Sequence, residues 1–301
     1  KKSITVDLKQ EKGREVVRRL LKDADVVYQN FRPGVMTRLG FDYAGCCKIN
    51  PSIIYVSASG WGKDGPYINK PGQDLLAQVM GGFAAVNAGA DGRPMGIGFS
   101  ISDLMGALYG AFGVMGALYH RQRTGEGQEV ETNLLNGTIA ALSEMALHHL
   151  NTGIEPQRDT PMHACPFLPT PYGIYKTRDG YITISSCHML SQLSKVLEIP
   201  NLAEDPRFDS DQNRDKNRVQ MEKIIEEALS RKTTGEWLKL MEKEDLWVAP
   251  VRSLSEVFSD PQVLHNGMVE TVDSPVGPLK MPGIPYRLSK TPAKIRSAPP
   301  M

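Results

Sequence analysis

Asp25-Val-Val-Tyr-Gln-Asn-Phe-Arg-Pro-Gly-Val-Met-Thr-Arg-Leu-Gly40, followed by Ile53-Ile-Tyr-Val-Ser57, decides the fold class. Asp25 to Tyr28 reads as a short strand, Pro33-Gly34 breaks it, and Val35 to Leu39 opens a short helix. Ile53 to Ser57 is a β-branched run bounded by Pro51 and Gly60, hence another strand. Upstream, Ile4-Thr-Val-Asp-Leu8 alternates like a strand. Glu11 to Lys22 then sets Val16, Val17, Leu20 and Leu21 on one stripe of a basic helix. Strand, helix, strand, helix, strand implies a parallel sheet with helical crossovers, so the class is α/β.

Further along, Asp74 to Met80 is helical and Gly81-Gly82 ends it, while Asp91-Gly-Arg-Pro94 is a turn. Pro94-Met-Gly-Ile-Gly-Phe-Ser-Ile-Ser102 reads as a Gly/Ser-rich strand end leading to a helix from Leu104 to about His120. That helix carries Gly106, Gly110, Gly113 and Gly116. A glycine inside a helix costs about 1 kcal/mol against alanine, so the repeat implies close approach of another backbone, as in helix pairs or dimer contacts. Thr124-Gly-Glu-Gly127 turns into a strand at Glu129, and a second helix is expected from Leu134 to Leu150. Residues 153–170 form a Pro-interrupted loop of the kind that carries function. Tyr172 to Lys176 and Tyr181 to Ser185 form a hairpin around Asp179-Gly180. Helices over 188–197, 213–230 and 233–244 and a hairpin over 272–280 complete a smaller α+β region. The expected organisation is a large α/β domain over 1–150, a smaller α+β domain over 151–270, and a segment over 271–301 that returns toward the large one.

Lys+Arg number 35 against 34 Asp+Glu, and this balance argues against nucleic acid and for a small-molecule partner. The cysteines, Cys46, Cys47, Cys165 and Cys187, show no C-x-x-C pair and no Cys/His ligand spacing, as expected of reduced thiols in a cytoplasmic protein. His148-His149 with Glu144 one turn earlier is the arrangement nearest to a metal site. It reads as a packed helix surface, and no metal is expected. No apolar run is read as long enough to span a membrane, and the opening residues read as strand rather than signal sequence, so no membrane partner is expected.

Asp103 stands where the glycine-bearing helix begins. Unpaired backbone N–H groups and the helix dipole favour a carboxylate anion at such a place. On position alone its commonest role is an N-cap; an ionised, oriented carboxylate is also a nucleophile.

Several ordered segments decide between these roles. They are Lys2-Ser-Ile-Thr-Val-Asp-Leu-Lys9, the Asp25–Gly40 stretch, Ser59-Gly-Trp-Gly62 with Gly65-Pro66, Gln73-Asp-Leu-Leu-Ala-Gln78, Asp103, Arg123-Thr-Gly-Glu-Gly-Gln128, and Tyr172-Gly-Ile-Tyr175 with Asp179-Gly180. With them the chain resembles the family III CoA-transferases, the group that includes formyl-CoA transferase and the carnitine and bile-acid CoA-transferases, along nearly its whole length. The resemblance implies a large nucleotide-binding-like domain with a parallel sheet, a smaller α+β domain, and a homodimer of interlocked rings. It implies acyl-CoA and a small carboxylic acid as substrates, with no permanently bound cofactor. It makes Asp103 the residue that attacks the thioester, giving an aspartyl anhydride and then an aspartyl-CoA thioester.

By the same resemblance, Lys9, Asn30, Phe31, Val35, Arg38 and Leu39 hold CoA, the cations at phosphate and the apolar side chains around adenine, with Lys70 a further candidate. Taken singly, each reads as a surface cation or a core side chain. The related acyl-CoA racemases place a histidine where this chain has Gln73. Glutamine has no titratable proton near neutrality, which favours transfer over racemisation or epimerisation. Gln73 is left to bond the acyl carbonyl, to orient Asp103, or merely to start a helix. A non-catalytic CoA-binding protein is the remaining alternative. The resemblance also implies an N-terminal strand and helix and a C-terminal tail that this sequence does not contain. Residues 159–169 are Pro-rich where formyl-CoA transferase is glycine-rich, pointing to a medium-sized or apolar acyl group, with His163, Cys165 and Phe167 as pocket candidates.

Overall fold

The β-branched runs pair side by side in the computed structural model, which describes residues 2–299. Strand β1 (Val26–Gln29) lies parallel to β2 (Ile54–Ser59), and β2 lies parallel to β3 (Glu129–Asn133), in the order β1-β2-β3. The connections are helical: α1 (Glu11–Lys22) precedes β1, and α2 (Val35–Leu39) and α3 (Tyr43–Cys47) join β1 to β2. Between β2 and β3 run α4 (Asp74–Met80), α5 (Phe83–Val86) and α6 (Ile101–Thr124), and β3 is followed by α7 (Leu134–Ala141) and α8 (Ser143–Thr152). The mixed α/β class with a parallel sheet is what is observed.

Alternation along the strands sends neighbouring side chains to opposite faces. Tyr55 joins Leu21, Phe41, Cys46 and Ile53 in a core on the α1–α3 side, with Val17, Met36 and Leu39 packed against it. Tyr55 Oη donates to Phe41 O at 2.8 Å, which satisfies the one polar group this ring takes inside. Burial pushes its hydroxyl pKa up. Tyr28 and Val130 face the other way, toward α6.

The glycines of α6 answer to that sheet face. A Cβ on Gly110 would lie 2.3 Å from Tyr28 Oη, and one on Gly113 would lie 2.6 Å from Val130 Cγ1. The close approach foreseen in the sequence is therefore to this chain's own strands. Gly116 meets nothing within 4 Å. The opposite side of α6 presents Leu104, Leu108, Phe112, Met115 and Tyr119, an exposed stripe at spacings of three and four.

Five expectations are corrected. Residues 4–8 pair with no strand among the described residues, and Ile4 is exposed: alternation alone makes no strand without a partner edge. Residues 94–99 likewise form no strand. Helix α6 begins at Ile101, earlier than the glycine pattern implied, and its 24 residues are by length and composition enough to cross a membrane, contrary to the sequence reading. The helix expected over 134–150 is two helices hinged at Leu142, whose N–H caps α7.

The chain divides into two compact units, one of which is Val6–Pro169. The other, which joins the residues up to Thr5 to those from Thr170 on, builds an antiparallel sheet from β4 (Gly173–Lys176), β5 (Tyr181–Ile184) and β6 (Val248–Pro250), where β4 and β5 are the expected Asp179-Gly180 hairpin. Its helices are α9 (Leu190–Val196), α10 (Asp211–Lys216), α11 (Arg218–Leu229), α12 (Thr234–Lys243), α13 (Leu254–Val257) and α14 (Pro261–His265), and β7 (Val269–Val272) pairs with β8 (Leu279–Pro282). Tyr175, Ile182, Ile184, Trp237 and Met241 are fully buried there. Thr233 and Glu236 start α12 with a reciprocal capping box.

Candidate active site

Ligands of open parallel sheets bind beyond the carboxyl ends of the strands. Here Tyr28 near the end of β1 and Asn30 just after it, Ser59 and Gly60 at the end of β2, and Thr132 and Asn133 of β3 meet Gln73, Asp74 and Asp103 around a cavity of about 460 Å3. One wall is a backbone contact: a Cβ on Gly60 would lie 2.4 Å from Gly72 Cα, so the two backbone segments touch just before α4 begins.

Asp103 lies in the first turn of α6, after Ile101 and Ser102, and is not its N-cap. Ser100, which is the N-cap, makes no side-chain capping bond. The orphan N–H groups are met from another helix. Asp74 Oδ1 accepts from Ser102 N at 2.8 Å and from Asp103 N at 3.1 Å. Asp74 Oδ2 accepts from Gln78 Nε2 at 2.7 Å, one turn along α4. Gln78 in turn holds the segment entering α6, accepting from Ile97 N at 2.8 Å and donating to Phe99 O at 3.2 Å. From the other side, the Thr138 hydroxyl of α7 and Ser102 Oγ share a hydrogen bond at 2.8 Å.

Because Asp74 does the capping, the Asp103 carboxylate accepts no hydrogen bond among the described residues and is exposed to the cavity. Partial burial, and next the Asp74 charge, push its pKa above the ordinary aspartate value. This corrects the expectation that a helix start would hold it more readily ionised. A carboxylate whose pKa is raised is a stronger base and nucleophile once deprotonated.

Gln73 caps α4, its Oε1 accepting from Leu75 N at 3.1 Å; the residue lines the cavity and makes no bond to Asp103 among the described residues. Asn30 lines the same cavity. Phe31 lies in an adjoining cavity of about 230 Å3 with Gln29, Arg32, Ser57 and Lys63. Lys70 lines a third, smaller cavity with Asn30, Phe31 and Arg32, and its ammonium sits 4.0 Å from the Tyr67 ring centre. Lys9, Val35, Arg38 and Leu39 line none of these three cavities, and Leu39 packs against the α1–α3 core. Nor do His163, Cys165 and Phe167: His163 is buried, and Phe167 stacks on His148 with ring centres 3.5 Å apart.

The sequence reading passed over Asp74 and Arg32. Arg32 lines both outer cavities and forms no ion pair among the described residues, whereas Lys63 is held by Glu129 at 2.9 Å. The signal for Arg32 was present, since it sits inside the quoted Asn30–Gly34 segment. Asp74 had none beyond adjacency to Gln73.

The family model described as CoA-transferase family III matches residues 1–301. The chain belongs to CoA-transferase family III. This CoA-transferase is 34% identical over 304 residues to the succinyl-CoA:glutarate CoA-transferase of Mus musculus, covering 100% of this chain and 69% of that protein. It is 35% identical over 292 residues to the acetyl-CoA:oxalate CoA-transferase of Acetobacter aceti, covering 96% of this chain and 73% of that one. Its fold is similar to the crystal structure of a CAIB/BAIF family protein from Brucella suis, with TM-score 0.86 and 33% identity over 100% of this chain and 78% of the other. CoA-transferases use CoA thioesters as substrates, and the family places this enzyme among them.

Proposed function

We propose that this CoA-transferase moves CoA from an acyl-CoA to a short dicarboxylic acid through covalent intermediates on Asp103. One observation carries the reading: a carboxylate with no hydrogen bond of its own among the described residues faces a 460 Å3 cavity at the strand ends, its backbone clamped by Asp74. Asp103 Oδ attacks the thioester carbonyl, the C–S bond breaks, and CoA leaves as thiolate with an aspartyl anhydride behind it. The thiolate attacks the Asp103 carbonyl of the anhydride and releases the first acid, leaving an aspartyl-CoA thioester. The second acid's carboxylate attacks that thioester and frees CoA thiolate, forming a new anhydride. Attack of the thiolate on the substrate acyl carbon then yields the new acyl-CoA and restores Asp103.

The acceptor class rests on the names of two similar proteins, whose acids are glutarate and oxalate, and on a polar lining that includes Asn30, Ser59 and Asn133. His163, Cys165 and Phe167 do not line this cavity, so the medium-sized or apolar acyl group expected from residues 159–169 draws no support from them. For the CoA phosphates we propose Arg32 with Lys70, and Lys9 and Arg38 at the periphery, with Phe31, Val35 and Leu39 toward adenine. The exposed stripe on α6, where Phe112 is 79% exposed, supports a homodimer contact. Four free thiols support a cytoplasmic location.

Intact mass spectrometry after incubation with a panel of acyl-CoA thioesters, with hydroxylamine or borohydride trapping, tests the nucleophile. An adduct that maps to Asp103 and is missing in Asp103→Ala is expected. CoA binding without any adduct would overturn the reading, and solvent deuterium entering at Cα would move it to a racemase or epimerase.

A further inference from the structure

Attack on a thioester puts negative charge on the acyl oxygen, and the walls of the Asp103 cavity hold Asp74 and Asp103 but no lysine, arginine or histidine. That charge must then be met by neutral donors, and a donor already fixed in place is worth most. The Thr132 hydroxyl is engaged, donating to Gly106 O at 3.1 Å. Gln73 and Asn30 are exposed side chains. Asn133 differs from both: it is 5% exposed and still lines the cavity.

Its orientation follows from one bond. Asn133 Oδ1 accepts from Asn136 N at 2.8 Å and so caps α7. Only the oxygen can accept from a backbone N–H, so the amide nitrogen occupies the other branch. That nitrogen has no acceptor among the described residues. The nitrogen is not among the sealed polar atoms of the fold, so a partner can reach it from the cavity that the residue lines. The residue is also placed beside the nucleophile's helix turn: a Cβ on Gly106, three residues after Asp103, would lie 4.0 Å from the Asn133 carbonyl. Pairing of Ser59 with Asn133 across the sheet holds the residue's backbone at the cavity edge.

We infer that the Asn133 amide nitrogen donates to the acyl oxygen of the CoA thioester and holds the charge that forms there when Asp103 attacks. The inference rests on Asp103 being the nucleophile. Asn133 therefore has two jobs that separate chemically: its oxygen starts α7, and its nitrogen serves the substrate.

Asn133→Ser keeps a capping oxygen and removes the nitrogen; Asn133→Asp keeps the shape and the cap and replaces the donor by an acceptor. Single-turnover formation of the Asp103 adduct should slow about 100-fold or more in both, the range seen when one such donor is removed, with CoA affinity unchanged. Adduct formation within threefold of the parent in Asn133→Ser would overturn the inference while leaving Asp103 intact as nucleophile. So would a rate loss that tracks loss of folded protein in both variants, which would make Asn133 a cap alone. An Asp103→Ala protein that still forms adduct would instead sink the underlying reading.

Discussion

Replacing Asp74 by asparagine tests whether the carboxylate that clamps the start of α6 also sets the basicity of Asp103. Oδ1 takes the Ser102 and Asp103 N–H groups at 2.8 and 3.1 Å, and asparagine retains an oxygen there. Oδ2 takes Gln78 Nε2 at 2.7 Å, and asparagine sets a second N–H2 against it. Gln78 cannot turn over to relieve this, because its oxygen accepts from Ile97 N and its nitrogen donates to Phe99 O. Losing one hydrogen bond to a charged acceptor and leaving buried donors opposed costs roughly 2–4 kcal/mol. Asp74→Ala removes every one of these bonds and should cost more. The second effect is electrostatic. The Asp74 charge is one of the causes that raise the Asp103 pKa, burial being the larger, so the asparagine variant lowers it partway. If deprotonated Asp103 attacks, the acidic limb of the pH profile of kcat/KM moves to lower pH. Urea unfolding at pH 7 and that profile are the assays. A stability loss below about 0.5 kcal/mol, a limb that stays in place, or one that moves upward would each refute the reasoning.

Asp103→Asn should abolish transfer and stabilise the fold near neutrality. A carboxylate with a raised folded-state pKa contributes stability that is present below its unfolded pKa and lost as pH rises through the folded value. Removing the charge therefore raises Tm at pH 7, and the gain disappears at pH values below the ordinary carboxylate range, as melting curves across pH will show. Gly113→Ala should destabilise by about 1–3 kcal/mol, because its Cβ meets the stiff Val130 side chain at 2.6 Å. Gly110→Ala should cost less, since Cβ there meets the hydroxyl end of half-exposed Tyr28, which can swing aside; equal losses in chemical denaturation would contradict this. Arg32→Gln should weaken CoA binding about tenfold in calorimetry while leaving Tm unchanged, and the deficit should shrink as salt rises.

Local pattern carried the reading furthest where a short segment contains its own partner. The Asp179-Gly180 turn and its two alternating runs made a hairpin because both strands are adjacent in the chain. Val26–Gln29 and Ile54–Ser59 became parallel neighbours because a helical crossover separates them. Ile4 to Leu8 has equally good alternation and formed no strand, since pairing depends on an edge the segment does not supply. The glycines of α6 announced close packing, but their partners, Tyr28 and Val130, lie far away along the chain and only the folded sheet reveals them.

The same division runs through the site. Sequence alone determined the α/β class, the family and the candidate nucleophile Asp103, because periodicity, turn chemistry and motif order are properties of neighbouring residues. Tertiary structure decided that Asp103 is no cap. The hydrogen bonds that free its carboxylate come from Asp74 on α4, and the bond that orients the Asn133 amide comes from the first turn of α7. It also separated Arg32, which lines the outer cavities, from Leu39, which lines none of them and packs against the core, although both stand in one short motif. Which side chains face a common cavity depends on how helices and strand ends pack in three dimensions, and no spacing along the chain encodes that distance.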